Sequence, residues 1–113
     1  PGGIFTTVPE LLLKIRSSFR EDATESEESL IDYYTACDLL ILDDLGAEKT
    51  SEFAITTLYL ILDRRIREDR QMIITTNLTP TEIEQTFGAR IASRMASMEN
   101  IKITMPDYRK KRG

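Results

Sequence analysis

The sequence contains no histidine, and its one cysteine is Cys37. A zinc site built from those ligands is therefore excluded, and a lone cysteine forms no internal disulfide. General base chemistry falls to Asp, Glu or a positioned water. No apolar run approaches the length that spans a bilayer, and no secretory signal pattern opens the chain. The expectation is a soluble, cytoplasmic protein with no membrane partner, in which Mg²⁺ held by carboxylates is the metal chemistry left open.

An excess of basic charge is lacking too. The formal net charge of −4 argues against a protein that grips nucleic acid over its whole surface. The charge is uneven: acids crowd the stretch from Glu21 to Glu28, and Arg109, Lys110, Lys111 and Arg112 make a basic tail. Such a tail is either a solvated solubility feature or a binding patch. At 113 residues, 41% of them hydrophobic, the chain has material for one small core.

What is present is organised around Leu39-Leu40-Ile41-Leu42-Asp43-Asp44-Leu45-Gly46. A short apolar run without alternation suits a strand of a parallel sheet. Its two carboxylates then fall at the carboxyl end, the edge where open α/β sheets bind ligands. This is the form of a Walker B segment, in which the first acid helps hold Mg²⁺ and the second orients or activates the attacking water. The competing reading is a core strand whose Asp-Asp starts a turn. A second apolar run, Gln71-Met72-Ile73-Ile74-Thr75-Thr76-Asn77, follows a long helical pattern. That is a β-α-β unit, and it puts Asn77 on the same sheet edge as Asp43 and Asp44.

Around this unit the spacing predicts a short strand over residues 4–6 and a helix over 8–20. The helix is capped from Thr7 and has an apolar face of Val8, Leu11, Leu12, Ile15 and Phe19. Residues 21–29 read as an exposed loop, followed by a short helix through Leu30, Ile31, Tyr33 and Tyr34. A helix over 51–68 carries Ala54, Leu58, Ile61, Leu62 and Ile66 on its core stripe. Arg64, Arg65, Arg67 and Arg70 gather at its last turn, explained by the helix dipole or, in the rival reading, by nucleic acid. Thr79-Pro80-Thr81-Glu82 opens a further helix that Gly88 ends. Helical spacing resumes over 89–96, and Ile101-Lys102-Ile103-Thr104-Met105 alternates as a sheet-edge strand that Pro106 stops.

Taken together, CDLLILDDLGAEKTSEFAITTLYLILDRR, MIITTNLTPTEIEQTFGARIASRM and the closing PDYRKKRG resemble the AAA+ ATPases of the DnaC/DnaI helicase-loader group and the similar IstB-type transposition helper ATPases. The resemblance covers the chain from about Phe5 to Arg109. It implies a three-layer, P-loop NTPase-like α/β fold with a parallel sheet flanked by helices. It also implies ATP and Mg²⁺ as cofactors, with a replicative helicase and single-stranded DNA as partners, and self-association. Asp43 matches the Walker B acid that helps hold the metal, with Asp44 beside it matching the residue that activates water. Asn77 matches sensor 1. In Gly88-Ala89-Arg90-Ile91-Ala92-Ser93-Arg94-Met95, Arg94 matches the arginine finger offered to a neighbouring subunit, supported by Arg90. The residue-level alternative is that both arginines form surface ion pairs with acids such as Glu84 or Glu99.

One motif of the family is missing. No G-x-x-x-x-G-K-[ST] occurs, and that loop is what cradles the phosphates. The expectation is a partial AAA+ core over residues 1–113, truncated and lacking the first strand and Walker A loop, inactive alone and either an ATPase part or an inert interaction module. With the family's central strand absent, the strand ending at Asn77 and the strand at Ile101 must pair directly or accept a strand from another copy.

Overall fold

The computed structural model describes residues 2–47 and 49–96 and the backbone of residues 101–104. Four strands, β1 (Gly3–Thr7), β2 (Leu39–Leu45), β3 (Gln71–Thr76) and β4 (Ile101–Thr104), form one sheet in the order β1-β2-β3-β4. All three pairings are parallel. The gap expected beside β3 is closed directly, with Met72 opposite Ile101 and Thr75 opposite Thr104. The expected Met105, Pro106, Glu99 and basic-tail positions lie outside the described residues.

Among the described residues five helices connect the strands: α1 (Val8–Ser17), α2 (Glu27–Ala36), α3 (Glu52–Arg67), α4 (Pro80–Phe87) and α5 (Ala89–Ala96). Four begin on a hydroxyl cap. Thr7, Ser26, Ser51 and Thr79 accept from the backbone N–H groups of Glu10, Ser29, Ala54 and Glu82. At Thr79 the box is reciprocal, because Glu82 also accepts from the cap's own N–H.

Each connection steps to the next strand in the same direction. Right-handed crossovers in one direction put every connecting helix on the same face of the sheet. Burial follows that rule. Leu40, Leu42, Met72 and Ile74 point to the helical side and are almost fully buried, with Leu11, Ile15, Leu58, Ile61 and Ile91 against them in one core. Thus the sheet and one helical layer of the expected sandwich are present. On the other face, Phe5 is 65% exposed, and Ile41 and Ile73 are half-buried and stand outside the core.

Three local expectations are corrected. The first helix ends at Ser17, not at residue 20, because Ser17 and Ser18 turn their hydroxyls back onto the carbonyls of Lys14 and Ile15. Phe19 therefore leaves the apolar face and lies exposed, edge-on to Phe53 at 5.6 Å. The acidic loop is shorter than residues 21–29, since Ser26 caps α2 and Glu27 opens it, where the dipole favours acids.

The third correction concerns Arg65, which is not a dipole partner at the surface. Its guanidinium is fully buried and donates to the carbonyls of Tyr34, Thr35, Cys37, Asp38 and Gln71, at 2.5 to 3.4 Å. It ties the end of α2 to the starts of β2 and β3. Burial pulls its pKa below the ordinary guanidinium value, partly opposed by Cys37, whose Sγ lies 3.4 Å away. Its Nε has no hydrogen-bond partner among the described residues.

Candidate strand-end site

Parallel strands end on one edge, so β2 and β3 deliver Asp43, Asp44, Thr75, Thr76 and Asn77 together. Up to Leu42 the register is regular, Ile41 facing Ile73 and Leu42 facing Ile74; it then shifts, and Leu45 meets Thr76. The irregularity sits at the two acids. Asp44 takes the left-handed conformation, φ 65°, which Asp tolerates better than most residues.

Two threonine hydroxyls hold this bend. Thr75 Oγ1 donates to Asp43 Oδ1 and accepts the backbone N–H of Asp44 at 3.0 Å. Thr76 Oγ1 donates to the carbonyl of Leu45 at 2.7 Å and accepts the N–H of Leu78 at 3.1 Å. Beyond the strand Gly46 has φ 88°, and a Cβ there would come within 2.6 Å of Leu78 Cδ1. The bend thus fixes the Asp43 carboxylate from behind, while Asp44 and Asn77 stand exposed at the edge.

Among the described residues no group of three or more His, Cys, Asp or Glu is placed to hold a metal. Asp43 and Asp44 are a pair only. That donor set suits Mg²⁺, which keeps several waters and takes one or two carboxylates with phosphate oxygens. The G-x-x-x-x-G-K-[ST] phosphate cradle has no counterpart in these 113 residues.

The two candidate arginines sit elsewhere, against α3. Arg90 stacks on the Tyr59 ring at 4.1 Å. Arg94 lies 2.9 Å from Asp63 Oδ1 and donates to the Tyr59 hydroxyl at 3.4 Å, and that hydrogen bond raises its pKa, with Asp63 adding to the effect. The Asp63 contact is an ion pair out of hydrogen-bond alignment. Asp63 also pairs with Arg67 one turn on, at 3.1 Å. Among the described residues Asp63 on α3 is an acid that meets Arg94, where the sequence suggests Glu84 or Glu99, and Glu99 lies outside the described residues. Beside Arg90 a groove of about 730 Å³ runs between the start of α3 and the α4–α5 junction, with Thr50, Ile55 and Phe87 on its walls.

Local pattern marks neither Tyr59 and Asp63 as partners of the arginines, nor Thr75 as the support of Asp43, nor Arg65 as a buried residue. Signals existed for two. Thr-Thr closing an otherwise apolar strand beside the acids marked Thr75, and Arg65 continues the Leu58, Ile61, Leu62 stripe by helical spacing.

Comparison with known proteins agrees with this fold. The family model described as "IstB-like ATP binding protein" matches residues 4–111. The replicative helicase loader DnaC of Escherichia coli K12 is 29% identical over 92 residues, which are 81% of this chain and 37% of that protein. DnaC of Buchnera aphidicola subsp. Baizongia pistaciae is 28% identical over 110 residues, 96% of this chain and 45% of that protein. The chain therefore spans less than half the length of these relatives. A crystal structure of the DnaC helicase loader superposes with a TM-score of 0.74 at 20% identity, covering 91% of this chain and 60% of that one. With the parallel sheet, the acid pair at its edge and a family match over nearly its whole length, the chain belongs to the IstB-like ATP-binding proteins of the AAA+ class.

Proposed function

We propose that these residues are the later part of the ATPase core of a DnaC-like replicative helicase loader, and that Asp43, Asp44 and Asn77 are its hydrolytic edge. The observation that carries this reading is the convergence of two acids and an amide on one edge of adjacent parallel strands, with Asp43 gripped by Thr75. Mg²⁺-ATP supplies the phosphoryl chemistry when bound. In this reading Asp43 would help hold the metal, Asp44 would take the proton of the attacking water at its carboxylate, and Asn77 would orient that water through its amide. Arg94, with Arg90 beside it, is offered to a neighbouring subunit's nucleotide, where a guanidinium speeds transfer by about 10³ to 10⁵. The helicase and single-stranded DNA are partners of the full-length gene product in the same proposal.

The test is Asp44→Asn in the full-length gene product. Asn tolerates the left-handed conformation, so the fold is retained. ATP turnover falls by at least about 100-fold while ATP binding measured by calorimetry persists. Unchanged turnover removes Asp44 from the role. The 113-residue chain alone, lacking the phosphate cradle, gives no heat on titration with ATP.

A further inference from the structure

The register between β2 and β3 slips by one residue at the acids. Three steps along β2, from Leu42 to Leu45, match two along β3, from Ile74 to Thr76, so Asp43 and Asp44 together stand opposite Thr75. A bulge of this kind re-aims a side chain. In an unbroken strand successive side chains point to opposite faces, and Asp44 would follow Asp43 by turning toward the helical side. That side is the core, where Leu42 and Leu45 are almost fully buried. The extra residue keeps both leucines inside and both acids at the edge, Asp43 half-buried and Asp44 exposed.

One hydroxyl closes the bulge. Thr75 Oγ1 has a single proton, which goes to Asp43 Oδ1, and it takes the backbone N–H of Asp44 on a lone pair at 3.0 Å. The two bonds support each other, because a hydroxyl whose proton is committed to a carboxylate keeps its lone pairs for the amide. The second bond steadies Asp44 at φ 65°. We propose that Thr75 is the positioning residue of this edge: one hydroxyl, donor and acceptor at once, sets the Asp43 carboxylate and holds the bulge that turns Asp44 outward. A carboxylate accepts at about four sites, so a bond from behind leaves Asp43 with capacity for a metal. Serine meets the same double requirement, whereas valine, with threonine's shape, meets neither half of it. What the two acids do in this role rests on the proposed function; how they are held rests on the geometry alone.

Thr75→Val and Thr75→Ser decide it. Valine keeps the branched shape and the strand preference, so the sheet persists. In the 113-residue chain, amide hydrogen exchange followed by NMR speeds up at Asp44 by at least about 5-fold in Thr75→Val, while the amides of Met72 and Ile74 keep their native rates. Thr75→Ser exchanges as the native chain does. In the full-length gene product, calorimetry of ATP binding with and without Mg²⁺ reads the gain in affinity that the metal confers. That gain shrinks by about 10-fold or more in Thr75→Val and survives in Thr75→Ser. A general loss of structure has another signature, since it lowers the fraction of protein that binds and not the affinity of the remainder. Native exchange at Asp44 in Thr75→Val, equal losses in the two variants, or a metal gain that valine leaves intact overturns the proposal. Asp44→Asn separates it from the reading it rests on. Lost turnover there beside an intact metal gain in Thr75→Val sinks this role alone, whereas unchanged turnover in Asp44→Asn removes the proposed function and this role with it.

Discussion

The two ends of the sheet handle charge in opposite ways. At the strand starts a cation, Arg65, is taken wholly inside and surrounded by five carbonyls until nothing of it faces water. At the strand ends two carboxylates stay at the surface, one steadied from behind by Thr75 and the other turned outward by a left-handed backbone. The first arrangement uses charge to bind the chain to itself. The second leaves charge with acceptor capacity unspent, which is what a site for a metal or a proton needs. The lesson is that burial and contact density, and not residue type, separate a structural ion from a candidate chemical one.

The comparison breaks most severely at Arg65. Replacing it with Met leaves several buried carbonyls without a donor and is expected to cost at least about 3 kcal/mol, whereas Arg64→Met next to it, on an exposed pair with Asp32, stays within about 0.5 kcal/mol. Urea unfolding of the two variants decides it, and equal losses would show that Arg65 is not a hub. Next in size is Gly46→Ala at the opposite end. The positive φ and the clash with Leu78 predict a loss of about 2 kcal/mol in the same assay, and a neutral result would mean that the bend relaxes freely.

The smallest effect sharpens the picture at the strand starts. Burial holds the Tyr34 phenol above its ordinary 10.0, with Tyr33, Glu25 and Glu10 adding to it. Because the folded-state pKa is the higher one, the folded chain keeps this proton longer than the unfolded chain does. That stability is fully present below the ordinary value and is lost as pH rises through the folded-state value. Tyr34→Phe is therefore expected to flatten the decline of the urea midpoint between about pH 9 and 11. An unchanged slope would reject the assignment.

Much of this was legible in advance. The β2-α3-β3 unit follows from two unbroken apolar runs around a helical period, and its parallel geometry alone placed Asp43 and Asn77 on one edge. The caps at Thr7 and Thr79 followed from residue type and spacing. What escaped was long-range. Residue type marks Arg65 as a surface cation, and only packing reveals that helix and strand ends converge on it. Tyr59 and Asp63 belong to α3, yet their partners Arg90 and Arg94 come from about thirty residues later, a distance over which local pattern carries no contact information. The early stop of α1 was written in Ser17-Ser18, whose back-bonded hydroxyls compete with the next helical turn.

Gly88 joins two eight-residue helices at φ 97°, and a side chain there would meet nothing within 4 Å. The junction supplies no steric stop of its own. The bearing of α5 is set by its contacts instead: Ile91 and Met95 in the core, the Tyr59 ring beneath Arg90, and the Tyr59 hydroxyl and Asp63 carboxylate beside Arg94. Swinging α5 away from α3 would therefore have to break the buried packing of Ile91 and Met95 together with the grip of both arginines on one tyrosine and one aspartate.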